Sequence, residues 1–162
     1  MTDPTPANMP TWTYEVEYWL NTTPASTATW VFVDFDTSFN PSKDNTEYSP
    51  SYKARKIQPS WVVGSKITVD FDIDIVENAA LQNFFKTNED VMNAPCEIMR
   101  VWKTGSTPFA AKKAAFACNT NPLDGDAGSA VHATGTMTMT DDGWTVGTAA
   151  YAQGVPTFTP SA

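Results

Sequence analysis

The chain has 162 residues, which is enough for one domain with a single hydrophobic core. Its 18 acidic and 10 basic residues give a formal net charge of -8, which disfavours nucleic-acid binding by neutralisation of phosphates. No apolar run approaches the roughly 18–20 residues that span a bilayer, and residues 1–10 lack the basic and apolar parts of a signal peptide. We therefore expect a protein that is made and kept in the cytoplasm, without membrane insertion.

Alternating apolar and polar residues predict a mainly β fold. The alternation is clearest from Lys66 to Val76, where one face reads as core and the other as polar. Asp142-Gly143 predicts a tight hairpin turn. The expected fold class is a β-sandwich or β-barrel of about seven strands with one flanking α-helix. The predicted strands are Trp12–Leu20, Thr27–Phe35, Lys66–Val76, Cys96–Lys103, Lys112–Asn119, Ala130–Thr140 and Trp144–Ala150.

One helix is predicted after the Lys66–Val76 strand. Asn78 is a suitable N-cap, because its side chain can accept a hydrogen bond from the first turn. Apolar residues then follow at spacings of three and four, which places them on a single buried stripe that ends before Asn88. These residues are Ala79, Ala80, Leu81, Phe84 and Phe85.

Residues 36–59 are predicted to form a long loop. They include three prolines and many Ser, Asn and Asp residues, which interrupt regular structure. Connections of this length usually bind something, and the aromatic and basic side chains here suit docking on a neighbouring surface. The candidate contact residues are Phe39, Tyr48, Tyr52, Lys53, Arg55 and Lys56.

The chain lacks the motifs of common catalytic and metal sites. His132 is the single histidine, Cys96 and Cys118 have no C-x-x-C spacing, and neither phosphate-binding glycine motif occurs. We expect both thiols to be reduced and packed. The segment Asp124–Gly128 resembles the start of a calcium loop but lacks its distal glutamate, so an ordinary turn is favoured. No cofactor, metal or enzymatic activity is predicted.

The polar face of the Lys66–Val76 strand carries three carboxylates, Asp70, Asp72 and Asp74. A solvated strand face is one interpretation, the lining of a channel is a second, and a general acid and base is a third. Same-face residues of a strand lie about 6.5–7 Å apart, which is loose for two carboxylates that share a proton. The first two interpretations are therefore favoured.

The order of four segments resembles the major tail tube protein of long-tailed, siphovirus-like bacteriophages. These segments are the strand that begins at Trp12, the strand Ile67–Val76, the helix Asn78–Phe85 and the strand Ile98–Trp102. The likeness spans roughly residues 12–158 and includes no invariant motif.

This resemblance implies a subunit that assembles into homohexameric rings, which stack into the hollow tail tube of a virion and let DNA pass without specific binding. It also implies assembly in the host cytoplasm and two further partners, a tape measure protein and a tail terminator. The loop 36–59 and the terminal arms 1–11 and 152–162 would bridge subunits. Acidic side chains would line the lumen, and the candidates are Asp70, Asp72, Asp74, Glu15 and Glu17.

Three other functions stay open from the sequence. A carbohydrate-binding β-sandwich would use an exposed tryptophan platform. A head–tail connector or minor tail subunit would form one ring without polymerising. A small hydrolase would use the carboxylates of the Lys66–Val76 strand. The candidate platform residues are Trp12, Trp19, Trp61 and Trp144.

Overall fold

The computed structural model of the protein describes residues 15–34, 36–76 and 79–162. Within these ranges the chain forms nine strands and one helix, so the mainly β fold with one helix is confirmed. The N-terminal arm 1–11, the start of the strand predicted at Trp12 and the proposed N-cap Asn78 lie outside the described residues. The elements are β1 Val16–Asn21, β2 Trp30–Phe32, β3 Asp36–Tyr48, β4 Trp61–Asp74, α1 Ala80–Thr87, β5 Ala94–Trp102, β6 Phe109–Thr120, β7 His132–Met139, β8 Thr145–Ala152 and β9 Val155–Pro160.

The strands form one open antiparallel sheet rather than two separate layers. Its main path has the order β2-β1-β5-β6-β7-β4-β3, and a branch made of β8 and β9 starts from β6. Strand β6 has β5 on one edge, while its other edge is divided between two partners. Residues 109–113 pair with β8, and residues 116–120 pair with β7.

The hairpin turn predicted at Asp142-Gly143 is wrong. Strands β7 and β8 both run antiparallel to β6, so they run in the same direction and cannot pair as a hairpin. Residues 140–144 instead carry the chain from one part of β6 to the other. At this gap the Asp141 carboxylate accepts a hydrogen bond from the Ala115 N–H at 2.8 Å, and the Thr140 N–H donates to the Ala115 carbonyl at 2.9 Å. The backbone of β6 is therefore satisfied where its partner changes.

Both faces of the sheet carry buried side chains. On one face, residues of β1, β4, β5, β6 and β7 pack against α1, and Leu20 and Ile98 are fully buried there. On the other face, Trp19 and Met99 pack with residues of β6, β8 and β9. Because neighbouring residues of a strand point to opposite faces, β1 and β5 are buried on both sides.

The two cysteines lie in the first of these clusters. Cys96 and Cys118 are buried, and both are free thiols, as the sequence predicts. Burial raises the pKa of the Cys118 thiol to about 11 and raises the pKa of Cys96 further still. Both groups therefore stay protonated at neutral pH and act as packing residues.

Helix α1 covers the end of the first cluster. Its N-cap position is Ala79, which makes no side-chain cap, and its last turn ends where the Asn88 side chain donates to the Phe84 carbonyl at 2.7 Å. Phe85 is fully buried and stacks on Phe71 of β4, with ring centroids 4.8 Å apart. The apolar stripe predicted from the sequence is thus the surface that fixes the helix on the sheet.

The long loop predicted over residues 36–59 is wrong for most of its length. Residues Asp36–Tyr48 form β3, which pairs with β4 from Asp36 opposite Ile73 to Tyr48 opposite Trp61. Because β3 is the last strand of the main path, Pro41 is tolerated at the sheet edge, where a missing N–H costs little. The turn-rich composition was therefore misleading, and the connection is confined to residues 49–60.

The segment predicted as a free C-terminal arm, 152–162, is largely a strand of the same chain. Residues of β9 pair with β8 from Gly147 opposite Pro160 to Ala152 opposite Val155. The two residues between the strands, Gln153 and Gly154, have φ angles of 52° and 80°, which is the geometry of a two-residue hairpin turn.

Close packing at Gly135 gives a first testable prediction. A Cβ at this position would lie against the carbonyl oxygen of Asn119 and 2.9 Å from the ring of Phe71, so Gly135→Ala must displace backbone. We expect this variant to lose about 1–3 kcal/mol of unfolding free energy in urea. Gly143→Ala is the matched control, because nothing lies within 4 Å of its added Cβ. Equal stability of the two variants would contradict this packing.

Candidate functional site

The distal part of the β3–β4 hairpin extends beyond the rest of the sheet. Strand β7 pairs with β4 only from Thr68 to Asp74, so residues 61–67 have β3 as their single strand neighbour in the described chain. Residues 40–48 and residues 61–66 are exposed on both faces. We call residues 40–67 the hairpin arm. Its two strands extend over roughly 20–25 Å beyond the edge of β7.

The hairpin arm exposes several large apolar side chains. Tyr48 stacks on Trp61, with ring centroids 6.2 Å apart, and Trp61 is 49% exposed. Val62 and Val63 follow, where the β3–β4 register shifts between Thr46 and Glu47, and Val63 is 63% exposed. A two-stranded ribbon is marginally stable in water, and exposed edges with apolar side chains are usually covered by another chain. This combination makes the hairpin arm a candidate interaction surface.

The connection at the tip of the hairpin arm is ordered by one side chain, Gln58. Its Oε1 accepts from the Tyr52 N–H at 2.6 Å, and its Nε2 donates to the carbonyls of Tyr52 and Arg55 at 3.2 and 2.8 Å. The Arg55 guanidinium lies 5.9 Å from the centre of the Tyr52 ring. The backbone of the tip is therefore tied to itself and presents its basic side chains to solvent.

The structure brings most of the predicted contact residues together on this arm, with one exception. Tyr48 and Tyr52 are large exposed side chains, and Lys53, Arg55 and Lys56 are exposed in the connection. Phe39 is 7% exposed, and the centre of its ring lies 4.8 Å from that of Tyr18. This burial contradicts its assignment as a contact residue. Phe39 lies opposite Phe71 in β4 and therefore belongs to the core at the base of the arm.

The predicted carboxylates lie on the face of β4 that points away from Phe71 and Ile73. Cross-strand neighbours on this face are polar as well, and they include Asn40 on β3 and Thr136 on β7. The Thr136 hydroxyl donates to Asp70 at 2.7 Å. The surface is thus polar across three adjacent strands, which agrees with a solvated face and leaves the lining of a channel as a prediction.

His132 bridges the other two carboxylates. Its Nδ1 lies 3.0 Å from Asp72 Oδ1 and 3.0 Å from Asp74 Oδ1. One ring nitrogen has one proton to donate, and the contact with Asp72 has the geometry of a hydrogen bond. The Asp74 oxygen is buried without a hydrogen bond. The His132 ring therefore lies between two carboxylates of the same strand and contacts both.

Glu15 and Glu17 are not part of this carboxylate face. They belong to the β1 region, and β1 is separated from β4 by β5, β6 and β7. Glu17 accepts hydrogen bonds from the Tyr151 hydroxyl at 2.5 Å and from the Trp19 indole at 3.1 Å, and it pairs with Lys103 at 3.2 Å. Glu17 therefore ties β1 to β8 within the chain.

The protonation of Glu17 follows from these contacts. Partial burial raises the pKa of its carboxyl, but the hydrogen bonds from Tyr151, Trp19 and Lys103, with the charge of Lys103, outweigh this and lower the pKa below its usual 4.5. Burial, and then the hydrogen bond to Glu17, raise the pKa of Tyr151. The ionised carboxylate is thus the form that stabilises the fold.

The predicted tryptophan platform is not assembled. Trp19 is buried in the second cluster, Trp61 lies on the hairpin arm, and Trp144 is half-buried against Phe116. Trp12 lies outside the described residues. The three described rings lie in different parts of the fold and do not form one stacking surface.

The described ranges contain neither a metal-ligand cluster nor a membrane-spanning helix. Residues 15–34, 36–76 and 79–162 hold no group of three or more potential metal ligands. No helix in these ranges has the length and apolar character needed to cross a membrane. The Asp124 segment is engaged in backbone pairing with His132 instead.

Comparison with known proteins identifies solved structures with a similar fold. No protein-family model and no curated protein matches the sequence. A chain of the SPP1 phage tail tube, determined by solid-state NMR and cryo-EM, is similar with a TM-score of 0.68 at 10% identity, over 85% of this chain and 78% of that chain. A chain of the anti-feeding prophage baseplate, from a six-fold symmetrised cryo-EM structure, gives 0.52 at 6% identity, over 85% and 95%.

These two comparisons show the fold class of the chain. The chain has the fold found in subunits of phage-tail-type assemblies. More specifically, it has a tail-tube-like fold, so the resemblance inferred from the sequence is confirmed at the level of fold.

The Glu17 contacts give a second testable prediction. Tyr151→Phe removes one hydrogen bond to the carboxylate and should lower the unfolding free energy by about 1–2 kcal/mol at neutral pH. Because the pKa of Glu17 is lowered in the folded state, its contribution is present above pH 4.5 and is lost as the pH falls through the folded pKa. The difference between wild type and variant in urea unfolding should therefore shrink in acid. Tyr48→Phe, on the exposed arm, is the control. A stability difference between wild type and Tyr151→Phe that persists unchanged in acid would contradict the role assigned to the Glu17 carboxylate.

Proposed function

We propose that this protein is a structural subunit of a phage tail, which self-assembles into hexameric rings that stack into a hollow tube for the passage of DNA. The single observation that carries the proposal is the hairpin arm. Within the described residues its strands have free edges and exposed apolar side chains, and a second copy is the surface that would complete them. The tail-tube-like fold supports the same role. This role needs no catalysis.

Charge supports a conduit rather than a DNA-binding protein. With a net charge of -8 in each copy, a ring would repel phosphate instead of holding it. The polar face that carries Asp70, Asp72 and Asp74 is our candidate for the lumen. Lys53, Arg55 and Lys56 at the tip of the arm would reduce repulsion by meeting acidic side chains of a neighbouring copy, although exposed pairs contribute under about 1 kcal/mol each. The apolar side chains of the arm should therefore dominate the contact.

A single ring is the second candidate function. It is favoured by the similarity to a chain of the anti-feeding prophage baseplate, whose structure was symmetrised six-fold. A connector or baseplate-like subunit would use the same contacts around a ring without stacking further. In a complete tail, a tape measure protein and a terminator would be the expected partners of a tube, and assembly of this virion component would take place in the host cytoplasm.

Electron microscopy of the purified protein separates these candidates. We expect negative-stain images to show hollow rods with six-fold end views, and sedimentation velocity to show large species that depend on concentration. Isolated rings at every concentration would favour the connector role. A protein that remains monomeric at high concentration would contradict both.

Two variants of the hairpin arm give a third testable prediction. Val63→Glu and Ile57→Glu place a charge on side chains that are 63% and 85% exposed, so the isolated chain should fold as before. If these side chains are covered by another copy, burial of the new carboxylate should raise the concentration needed for assembly at least about tenfold, which corresponds to about 1.4 kcal/mol. Sedimentation velocity measures this concentration.

Met92→Glu is the matched control for these variants. Met92 is 83% exposed and lies in the turn before β5, away from the hairpin arm. We expect this variant to assemble like the wild type. Arm variants that assemble at the wild-type concentration, with unchanged thermal unfolding, would show that the arm is not the contact.

The carboxylate face gives a fourth testable prediction. Replacement of Asp70, Asp72 and Asp74 by Asn should leave tube formation intact, because the contacts of these side chains lie within the chain. A cryo-EM reconstruction of the wild-type tube would then show this face at the bore. A reconstruction in which the face points outward would remove the lumen assignment without affecting the role of the arm.

A further inference from the structure

Two basic side chains lie opposite each other at the centre of the sheet. Arg100 on β5 and Lys112 on β6 are direct cross-strand partners. Side chains in such positions point to the same face with their Cβ atoms about 4.5–5.5 Å apart, and like charges there destabilise the pair. Both side chains are half-buried. A chain with a net charge of -8 therefore holds two adjacent cations in a position that disfavours them.

Neither cation has an acidic partner among the described residues. The ion pairs formed there by other basic residues of the same strands and their ends are Lys103 with Glu17 and Lys113 with Glu97. The Nε of Arg100 is buried and has no hydrogen-bond partner. A buried unpaired donor on a charged group costs about 1–3 kcal/mol or more, so the described residues leave the guanidinium of Arg100 incompletely compensated.

Aromatic rings form the walls around these two cations. The Arg100 guanidinium lies 4.7 Å from the centre of the Trp102 ring and 5.7 Å from that of Tyr18. The Lys112 ammonium lies 4.6 Å from the Trp144 ring and 5.5 Å from the Trp102 ring. Such contacts hold the cations in place, but they do not supply an anion. We call these five residues the cationic site.

The electrostatics of Lys112 agree with this geometry. Burial, followed by repulsion from Arg100, lowers the pKa of its ammonium. No carboxylate contributes to this shift. An anion placed between the two side chains would oppose both effects, because it attracts each cation and replaces the water that burial removes.

We propose that the cationic site binds a carboxylate side chain of a second copy of this chain. A carboxylate matches the planar guanidinium fork of Arg100 and can also accept from the Lys112 ammonium. Identical copies supply it, since each has 18 acidic residues against 10 basic ones. A nucleic-acid phosphate would also suit the two cations, but the acidic chain as a whole repels a polyanion, so the carboxylate is favoured. This inference rests on the proposed self-assembly.

Zero-length cross-linking of assembled protein tests this proposal. A carbodiimide joins a lysine to a carboxylate only when the two are in contact. Assembly from an equal mixture of ¹⁴N- and ¹⁵N-labelled chains makes cross-links between copies visible as mixed-isotope peptides. We expect Lys112 to give mixed-isotope cross-links to an Asp or Glu. Lys103 with Glu17 and Lys113 with Glu97 are internal standards, because they should give links within one copy.

Three variants complete the test. Lys112→Met should raise the concentration needed for assembly about tenfold, whereas Lys112→Arg should assemble at the wild-type concentration. Lys113→Met should change this concentration little, because that ammonium pairs with Glu97 of its own chain. Thermal unfolding should show that Lys112→Met folds, since it removes a repulsion with Arg100. Tubes without mixed-isotope links at Lys112, and with wild-type assembly of Lys112→Met, would overturn this proposal alone. A wild-type chain that never assembles would overturn the proposed function as well.

A titration with a short single-stranded oligonucleotide tests whether the cationic site binds phosphate instead. Trp102 and Trp144 flank the two cations, so their fluorescence should report an anion bound at the site. We expect no change with a single-stranded oligonucleotide at physiological salt. A saturable change that is lost in Lys112→Met would reassign the site to phosphate and overturn the carboxylate proposal.

Discussion

The backbone pairing between β5 and β6 is the interaction on which both parts of the sheet depend. It runs without interruption from Ala94 opposite Cys118 to Trp102 opposite Ala110. Because β6 then offers its other edge to β7 and β8 in turn, both the branch that leads to the hairpin arm and the branch that ends at β9 start from this pair. The two buried clusters lie on opposite faces of the same strands, so loss of this ladder would separate them from each other.

The surface features follow from that arrangement. The main path ends at β3, so this long strand lies at an edge with no further partner in the described chain, and residues 61–67 of β4 extend with it beyond β7. At the same time β8 and β9 cover the second cluster, which leaves the cationic site on the face that carries α1. In the part of the chain that the structure describes, the fold thus places apolar groups with free backbone edges in one region and positive charge without an acidic partner in another. A ring-forming subunit needs at least two different patches, because each copy must contact two neighbours.

Much of the fold could be predicted from the sequence. Regular alternation located β4, β5 and β7, and the spacing of Leu81, Phe84 and Phe85 located the helix. The errors occur where local composition and tertiary pairing disagree. Residues of β3 are polar and include Pro41, yet the regular partner strand β4 imposes an extended conformation on them. The turn at Asp142-Gly143 has hairpin composition, but Ala115 of β6 binds the Thr140 N–H and the Asp141 carboxylate just before it, which keeps the chain on the edge of β6.

The candidate site was less predictable for a related reason. Tyr48 and Tyr52 were found because exposed aromatics stand out in a polar segment, whereas Phe39 in the same segment is buried by register alone. Arg100 and Lys112 give no signal in the sequence, since only strand pairing makes them neighbours. Trp61 and Val63 had a visible signal in the sequence, because the consecutive apolar residues 61–63 break the alternation that begins after them.

The junction between the hairpin arm and the core has a mechanical consequence. Both strands of the arm continue directly into Phe39, Val69 and Phe71, which are buried, and no loop separates the exposed part from the packed part. The base of the arm is therefore continuous with the packed sheet, and the β3–β4 ladder is irregular only between Asp36 and Ser38 and between Thr46 and Glu47. In the proposed assembly, the twist of the sheet would set the angle between two copies that meet through the arm. Bending would then be taken up at the irregularity between Thr46 and Glu47 and in the short connection of residues 49–60.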